Sequence, residues 1–260
     1  MKKLAAIIVF ISLTVTTVQA QWFGKSIRGN HKMVTETRTT SDYDGIGVAG
    51  SFDVKLVEGK EGKITINAEE NLIPYIITEV DNNTLKIKWK KGYSISTNKH
   101  ILVTVPFKSI SKVSLAGSGD VYTDNATITS DNLKASLSGS GDIRLDVKTG
   151  KLEARIAGSG DIELTGITDD LSASIAGSGD IELTGITDDL SASIAGSGDV
   201  KSYDLLAKNG DLRISGSGGI KANVSDMLKV SIAGSGDVTY KGNPKEDVRI
   251  SGSGSVRSKE

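Results

Sequence analysis

Six aspartates recur in one setting. Asp120, Asp142, Asp161, Asp180, Asp199 and Asp237 each directly follow a Gly-Ser-Gly triplet, while Gly219 and Ser255 take that place after two others. If the triplets stack, the carboxylates form a column about 4.8 Å apart. Unit charges at that spacing repel by about 1 kcal/mol in water, and by more beside protein. Two chemistries can offset this. The carboxylates can accept amide hydrogen bonds in Asx-type turns, or the column can hold cations such as Ca2+. The calcium-binding nonapeptide needs Gly-Gly-x-Gly-x-Asp at a pitch of about nine residues. Here Asp follows Gly directly and recurs at 18 to 22 residues, so that motif is not met.

A second group is basic. Lys86, Lys88, Lys90 and Lys91 surround Trp89. On a strand, Lys86, Lys88 and Lys90 share one face and Leu85, Ile87 and Trp89 the other. This is either a solvated face over an apolar one, or a patch for acidic glycans and anionic envelope polymers. Asp169, Asp170, Asp188 and Asp189 fall in loops of two identical units. Thr165, Thr168, Thr184 and Thr187 resemble the threonine arrays of ice-binding solenoids, but over only two coils.

Catalytic patterns are missing. A nucleophile elbow needs Gly-x-Ser-x-Gly, and Ser118, Ser140, Ser159, Ser178, Ser197, Ser217, Ser235 and Ser253 all lack the first glycine. Only His31 and His100 could serve as bases. The chain has no Cys, which removes thiol catalysis, iron–sulfur clusters and Cys-ligated zinc. No Gly-Lys-Ser or Gly-Lys-Thr follows the glycine triplets and no helix follows them, so phosphate is not cradled in the usual way. Polysaccharide lyases and hydrolases on β-helices need a local, unrepeated cluster of carboxylates, Arg or Lys. Identical loops point instead to a periodic surface. The expected reading is not an enzyme, with no catalytic residues and no cofactor beyond the Ca2+ alternative.

These groups are positioned by a repeat. Gly-Ser-Gly starts at 117, 139, 158, 177, 196, 216, 234 and 252, and a degenerate copy occupies Ala49 to Val54. Ile156–Ser174 and Ile175–Ser193 are identical. Within a unit Leu171, Ala173 and Ile175 alternate with Ser172 and Ser174. This period of two is that of a strand with one face inward, and no stretch shows the helical spacing. One unit cannot bury its apolar face alone, but stacked units can. Seven intervals give a stack of about 34 Å. A one-residue slip would turn the inward side chains outward, so a near-constant period is what parallel stacking demands.

Lys2 and Lys3, the apolar run Leu4–Leu13 and Val18-Gln19-Ala20 read as an export signal cleaved to leave Gln21. Removing 1–20 takes two lysines and shifts the formal charge from −1 to −3, which gives no basis for nucleic-acid binding. No later segment is apolar enough for a membrane-spanning helix. The expected order is a signal peptide at 1–20, a flexible leader at 21–42, an N-terminal β region or cap at 43–110 and a regular solenoid at 111–260. Pro74 should halt a single helical turn in Glu69–Tyr75.

Residues 43–260 resemble the bacterial family described as "putative auto-transporter adhesin, head GIN domain", common in Bacteroidetes. The resemblance rests on Tyr43-Asp44-Gly45-Ile46, Gly50 to Leu56, Leu85-Lys86-Ile87, Ile101 to Pro106 and the repeated Ala/Ser-Gly-Ser-Gly-Asp turns. It implies an all-β, single-stranded right-handed β-helix-like solenoid at the cell envelope and supplies no catalytic residues. No C-terminal barrel for self-export is expected from these residues. The function expected is a secreted or envelope protein, in the periplasm or at the surface, presenting a rigid periodic β surface. An adhesin-like module for envelope or host glycan or protein is the leading form. The alternatives are a polysaccharide-acting enzyme and a purely structural assembly element.

Overall fold

Alternating apolar residues bury one face only as strands, and residues 25–259, which the computed structural model describes, are nearly all strand. The expected signal peptide lies outside the described residues. The first nine strands are β1 (Lys25–Arg28), β2 (Met33–Thr39), β3 (Gly45–Gly50), β4 (Asp53–Glu58), β5 (Lys63–Glu69), β6 (Ile76–Asp81), β7 (Thr84–Trp89), β8 (Tyr93–Ser96) and β9 (Leu102–Phe107). A 3-10 helix at Ile73–Tyr75 contains Pro74 and is the one short helical turn of this part.

The remaining strands are longer because they run through the bends of a coil. They are β10 (Lys112–Gly117), β11 (Asp120–Gly139), β12 (Asp142–Gly158), β13 (Ile162–Gly177), β14 (Ile181–Gly196), β15 (Asp199–Gly216), β16 (Gly219–Gly234), β17 (Asp237–Lys241), β18 (Lys245–Gly252) and β19 (Ser255–Ser258). Each pairs in parallel with its equivalent one coil on. Leu171 lies beside Leu190, Ile175 beside Ile194 and Gly177 beside Gly196. The inward side chains form columns. In the one after the corner, Val121, Ile143, Ile162, Ile181, Val200, Ile220 and Val238 are at most 1% exposed.

The corner explains the glycines. Gly158, Gly177 and Gly196 have φ of +149°, +143° and +145°, a region that costs a residue with a Cβ. The second glycine is fixed by space instead: a Cβ on Gly160 would lie 2.0 Å from the Gly141 carbonyl oxygen, and one on Gly179 as close to that of Gly160. The serine between them donates its amide to the previous coil's first glycine, as Ser159 does to Gly139 at 2.9 Å.

The order of coils in space is not their order in sequence. β3 pairs with β10 on one side and β7 on the other, while β4 pairs with β11 and β9. The coil at 45–58 is therefore threaded between the outermost coil, β7 with β9, and the first regular one. Its degenerate turn stacks in register, Gly50 beside Gly117. Antiparallel strands close this end: β5 on β9, β2 on β5, and β6 on β7. All the buried apolar residues belong to one continuous core.

Residues 25–39 depart from the expected flexible leader, since β1 pairs with β8 and β2 with β5. Their polar composition hides the reason. β2 lies over β5 as an edge strand, with alternate residues only half-buried. Arg38 ties it down by donating to the carbonyls of Ile73 at 2.9 Å and Ile76 at 2.6 Å.

Candidate functional site

The aspartate column forms, and its geometry answers the repulsion. Oδ1 of Asp161 accepts the amide of Asp180 at 2.9 Å, Asp180 that of Asp199 at 2.9 Å, and Asp199 that of Gly219 at 2.7 Å. Asp237 accepts both the amide and the hydroxyl of Ser255, at 2.9 and 2.6 Å. Two cations add to this. Arg144 sits 2.7 Å from Asp142 and 3.8 Å from Asp120, and Lys201 bonds Asp180 at 2.7 Å. The Asp180 carboxylate raises the pKa of Lys201.

The members of the column differ electrostatically, and Asp53 of the degenerate turn lies one coil beyond Asp120. Burial, with the charge of Asp142 next, pushes the Asp120 carboxyl above the ordinary aspartate value. The Ser255 hydroxyl holds that of Asp237 below it. Among the described residues no three His, Cys, Asp or Glu side chains gather around one point as a metal cage would.

The lysine group is not one patch. Lys86 is ion-paired with Asp81 and Lys88 with Glu79, both on the antiparallel neighbour β6. Asp81 raises the pKa of Lys86 through their hydrogen bond. Lys90 lies 5.7 Å over the Tyr93 ring. Trp89 turns inward, its ring 4.6 Å from that of Phe52. The threonines separate too: Thr165 and Thr184 are exposed, whereas Thr168 and Thr187 are 4% and 1% exposed. The Thr187 hydroxyl donates to a main-chain carbonyl of the previous coil.

A groove of about 1010 Å3 runs along the stack. Its origin is local. Asp169 and Asp170 are consecutive outward residues, which breaks the alternation and bends each coil before Leu171. The positions flanking that leucine form two walls. Lys151, Asp170, Asp189 and Asn209 rise on one side and Glu153, Ser172, Ser191 and Asp211 on the other. The row between them is Leu133, Leu152, Leu171, Leu190, Gly210, Leu228 and Glu246. Seven rows at strand spacing span about 29 Å.

The groove is acidic and polar in its middle, with Lys134 and Lys151 towards one end and Lys229 and Lys245 towards the other. Ion pairs across coils hold parts of the walls, Lys134 to Glu153 at 3.3 Å and Lys151 to Asp170 at 3.8 Å. Asn209 donates to Asp189 at 2.9 Å. In sequence Asp170 and Asp189 read as loop residues of a periodic surface, whereas both lie within strands, β13 and β14. The signal for a groove was the doubled outward position in each unit, read down the stack.

A further buried carboxylate escaped the sequence altogether. Glu69 is fully buried and accepts the His31 amide at 2.6 Å and the Thr97 hydroxyl. Burial alone would raise its pKa, but these bonds and the charges of His31 and Lys99 outweigh it and the net shift is downward. It fastens the β1–β2 connection to the cap.

The family model described as "Putative auto-transporter adhesin, head GIN domain" matches residues 42–182 and 167–244. Among solved structures, a "putative lipid binding protein" of Parabacteroides distasonis ATCC 8503 is 34% identical, with a TM-score of 0.86 over 91% of this chain and 100% of that one. A "putative adhesin" of Parabacteroides merdae ATCC 43184 is 26% identical, with a TM-score of 0.86 over 90% and 99%. Another from P. distasonis is 25% identical, with a TM-score of 0.85 over the same shares. No curated protein matches the chain.

Proposed function

The chain belongs to the family described as "putative auto-transporter adhesin, head GIN domain", and from that premise we propose that it is an exported, adhesin-like binding protein whose axial groove holds an extended polar polymer, a glycan strand first among them. The observation that carries this is the groove's form: continuous over seven rows, with hydroxyl, amide and carboxylate groups along its walls at coil spacing over a floor of leucines. Such groups exchange hydrogen bonds with sugar hydroxyls at every row, and a rigid scaffold loses little order on binding. The groove recognises without cleaving. Its carboxylates recur from coil to coil and several are tied to neighbouring side chains, whereas hydrolysis needs one acid and one base set apart by their surroundings. Among the described residues no helix is long and apolar enough to cross a membrane, and export is by the signal at 1–20.

A glycan array probed with the wild type and with Ser172→Trp/Ser191→Trp tests this. The double variant fills the groove's middle and should lose binding, while Glu182→Trp on another face should keep it. Equal binding by all three would defeat the groove reading, and release of reducing ends from a bound glycan would defeat the non-enzymatic one.

One observation favours an apolar ligand as a second reading. Ile167, Ile186 and Leu206 stack on successive coils and are 53%, 51% and 50% exposed. Co-sedimentation with phosphatidylcholine vesicles, lost on changing all three to Ser, would support that reading over the glycan.

A further inference from the structure

The last coil is finished differently from the others. β18 pairs with β16 and β19 with β17, and among the described residues these are the only strand partners of either. Val248 and Ile250 continue the columns of Val230 and Ile232, which are 1% and 2% exposed. They are themselves 38% and 44% exposed. Their sequence positions are core positions, and only the missing neighbour leaves them in water. An unpaired strand edge with apolar side chains is a template for another strand.

We propose that β18 pairs antiparallel with β18 of a second copy of this chain, across a two-fold axis through Val248. The register follows from faces and charges. Directly opposed residues in an antiparallel pair share a face, and a one-residue slip turns every side chain over. Only registers centred on a residue therefore keep Val248 and Ile250 inward in both copies. Centring on Asp247 or Arg249 sets that residue against its own copy, and like charges directly opposite are destabilising. Centring on Ile250 leaves the charges facing Ser251 or beyond. Centring on Val248 places Asp247 opposite Arg249 of the second copy, Arg249 opposite its Asp247, and Val248 against Val248.

Within one chain Arg249 and Asp247 are paired only with each other, at 3.4 Å and with side chains 73% and 54% exposed, so the exchange replaces a solvated pair in each copy with two pairs across the axis. Glu246 lies opposite Ile250 in this register. Its carboxylate already takes the Tyr240 hydroxyl at 2.5 Å, which confines the paired stretch to the strand's centre. The interface is isologous, as a two-fold dimer requires, and it closes the edge instead of propagating it.

Sedimentation equilibrium on the chain from Gln21 to Glu260 tests this. The wild type should show a monomer–dimer equilibrium. Arg249→Asp sets acid against acid twice and should weaken the dimer about ten-fold or more. Combining it with Asp247→Arg restores opposite charges and should restore the dimer, while circular dichroism of each variant checks that the coils are intact. A wild type that stays monomeric, an Arg249→Asp variant that associates as well as wild type, or a charge swap that fails to rescue it would each overturn the proposal. Association beyond the dimer, as end-to-end stacking onto the N-terminal cap would give, would overturn it as well.

Discussion

Residues 111–258 and residues 25–110 build coils of the same section by different means. In the first region each side chain rests on its own equivalent: Ala135, Ala154, Ala173 and Ala192 form one file. Even the exception keeps the volume, because where other coils set Leu against Ala, the next has Gly210 with Leu212. A Cβ on Gly210 would meet Val224 and Leu228 at 3.1 and 3.3 Å, so the vacated space is filled from the following coil. In the second region the large side chains are unrepeated. Tyr43, Phe52 and Phe107 are buried there, the coil at 45–58 is enclosed by strands later in sequence, and the sheet mixes parallel with antiparallel pairs. A repeated coil depends on its two neighbours, whereas the cap depends on closing several long loops at once.

The largest test of this difference is to delete a coil from each region. Removing 175–193 joins Ser174 to Ile194, which the duplication makes seamless. The product should unfold cooperatively with a melting temperature within about 10 °C of the parent, since a nearest-neighbour stack loses one equivalent layer. Removing 45–58 leaves β7, β9, β10 and β11 without their shared partner and should yield no folded protein. Circular dichroism and thermal melts compare them. Equal tolerance of both deletions would break the distinction.

Single substitutions sharpen it. Gly160→Ala puts a Cβ into the backbone of the coil below, which cannot retreat without moving the whole stack. It should cost on the order of 4 kcal/mol or more. Gly92→Ala meets nothing within 4 Å and carries only its positive φ of 86°, so about 1–2 kcal/mol is expected. Carboxylates rank the other way. Glu69→Ala strips a buried acceptor from an amide and a hydroxyl and should cost about 2–3 kcal/mol. Asp161→Ala frees one amide at an exposed corner and should cost about 1 kcal/mol. Urea denaturation gives all four values, and an Asp161 variant weaker than the Glu69 variant would reverse the argument.

What could be read from the sequence follows the same division. The stacking of Gly-Ser-Gly corners and the inward files were legible, because each follows from spacing inside one unit. The aspartates read as acceptors in Asx-type turns of their own corner, whereas they accept the amide of the next coil. The threading of β3 and β4 was not. Gly50 and Phe52 look like one more turn in sequence, and nothing local says that residues 84–107 will pass beyond them. Nor could Arg38 announce two carbonyl partners in 73–76, or Glu69 its hold on His31. Polar residues in the leader looked mobile because their partners lie 35 to 38 residues away. The groove was half legible: the doubled outward positions were visible, but the concavity needs the bend they produce.

The smallest effect concerns Asp120 and Asp237 of the aspartate column, where neighbours differ although the motif does not. Asp237 has a lowered pKa, so its ionised form is favoured in the fold. Its contribution is complete above the ordinary value of 3.8 and is lost as pH falls through the lowered one. Asp120 has a raised pKa, so its ionised form is disfavoured. It detracts from stability at neutral pH, and that cost is relieved as pH falls through the raised value. Asparagine keeps the acceptor oxygen and removes only the charge. Asp237→Asn should therefore lower the melting temperature at pH 7 and converge on wild type in acid. Asp120→Asn should raise it slightly at pH 7, with the advantage shrinking in acid. Melting curves between pH 3 and 7 for both variants decide this. Two shifts of the same sign would mean that the two positions are electrostatically alike, and that the repeat alone, not the cap or the open edge, sets the charge state of its aspartates.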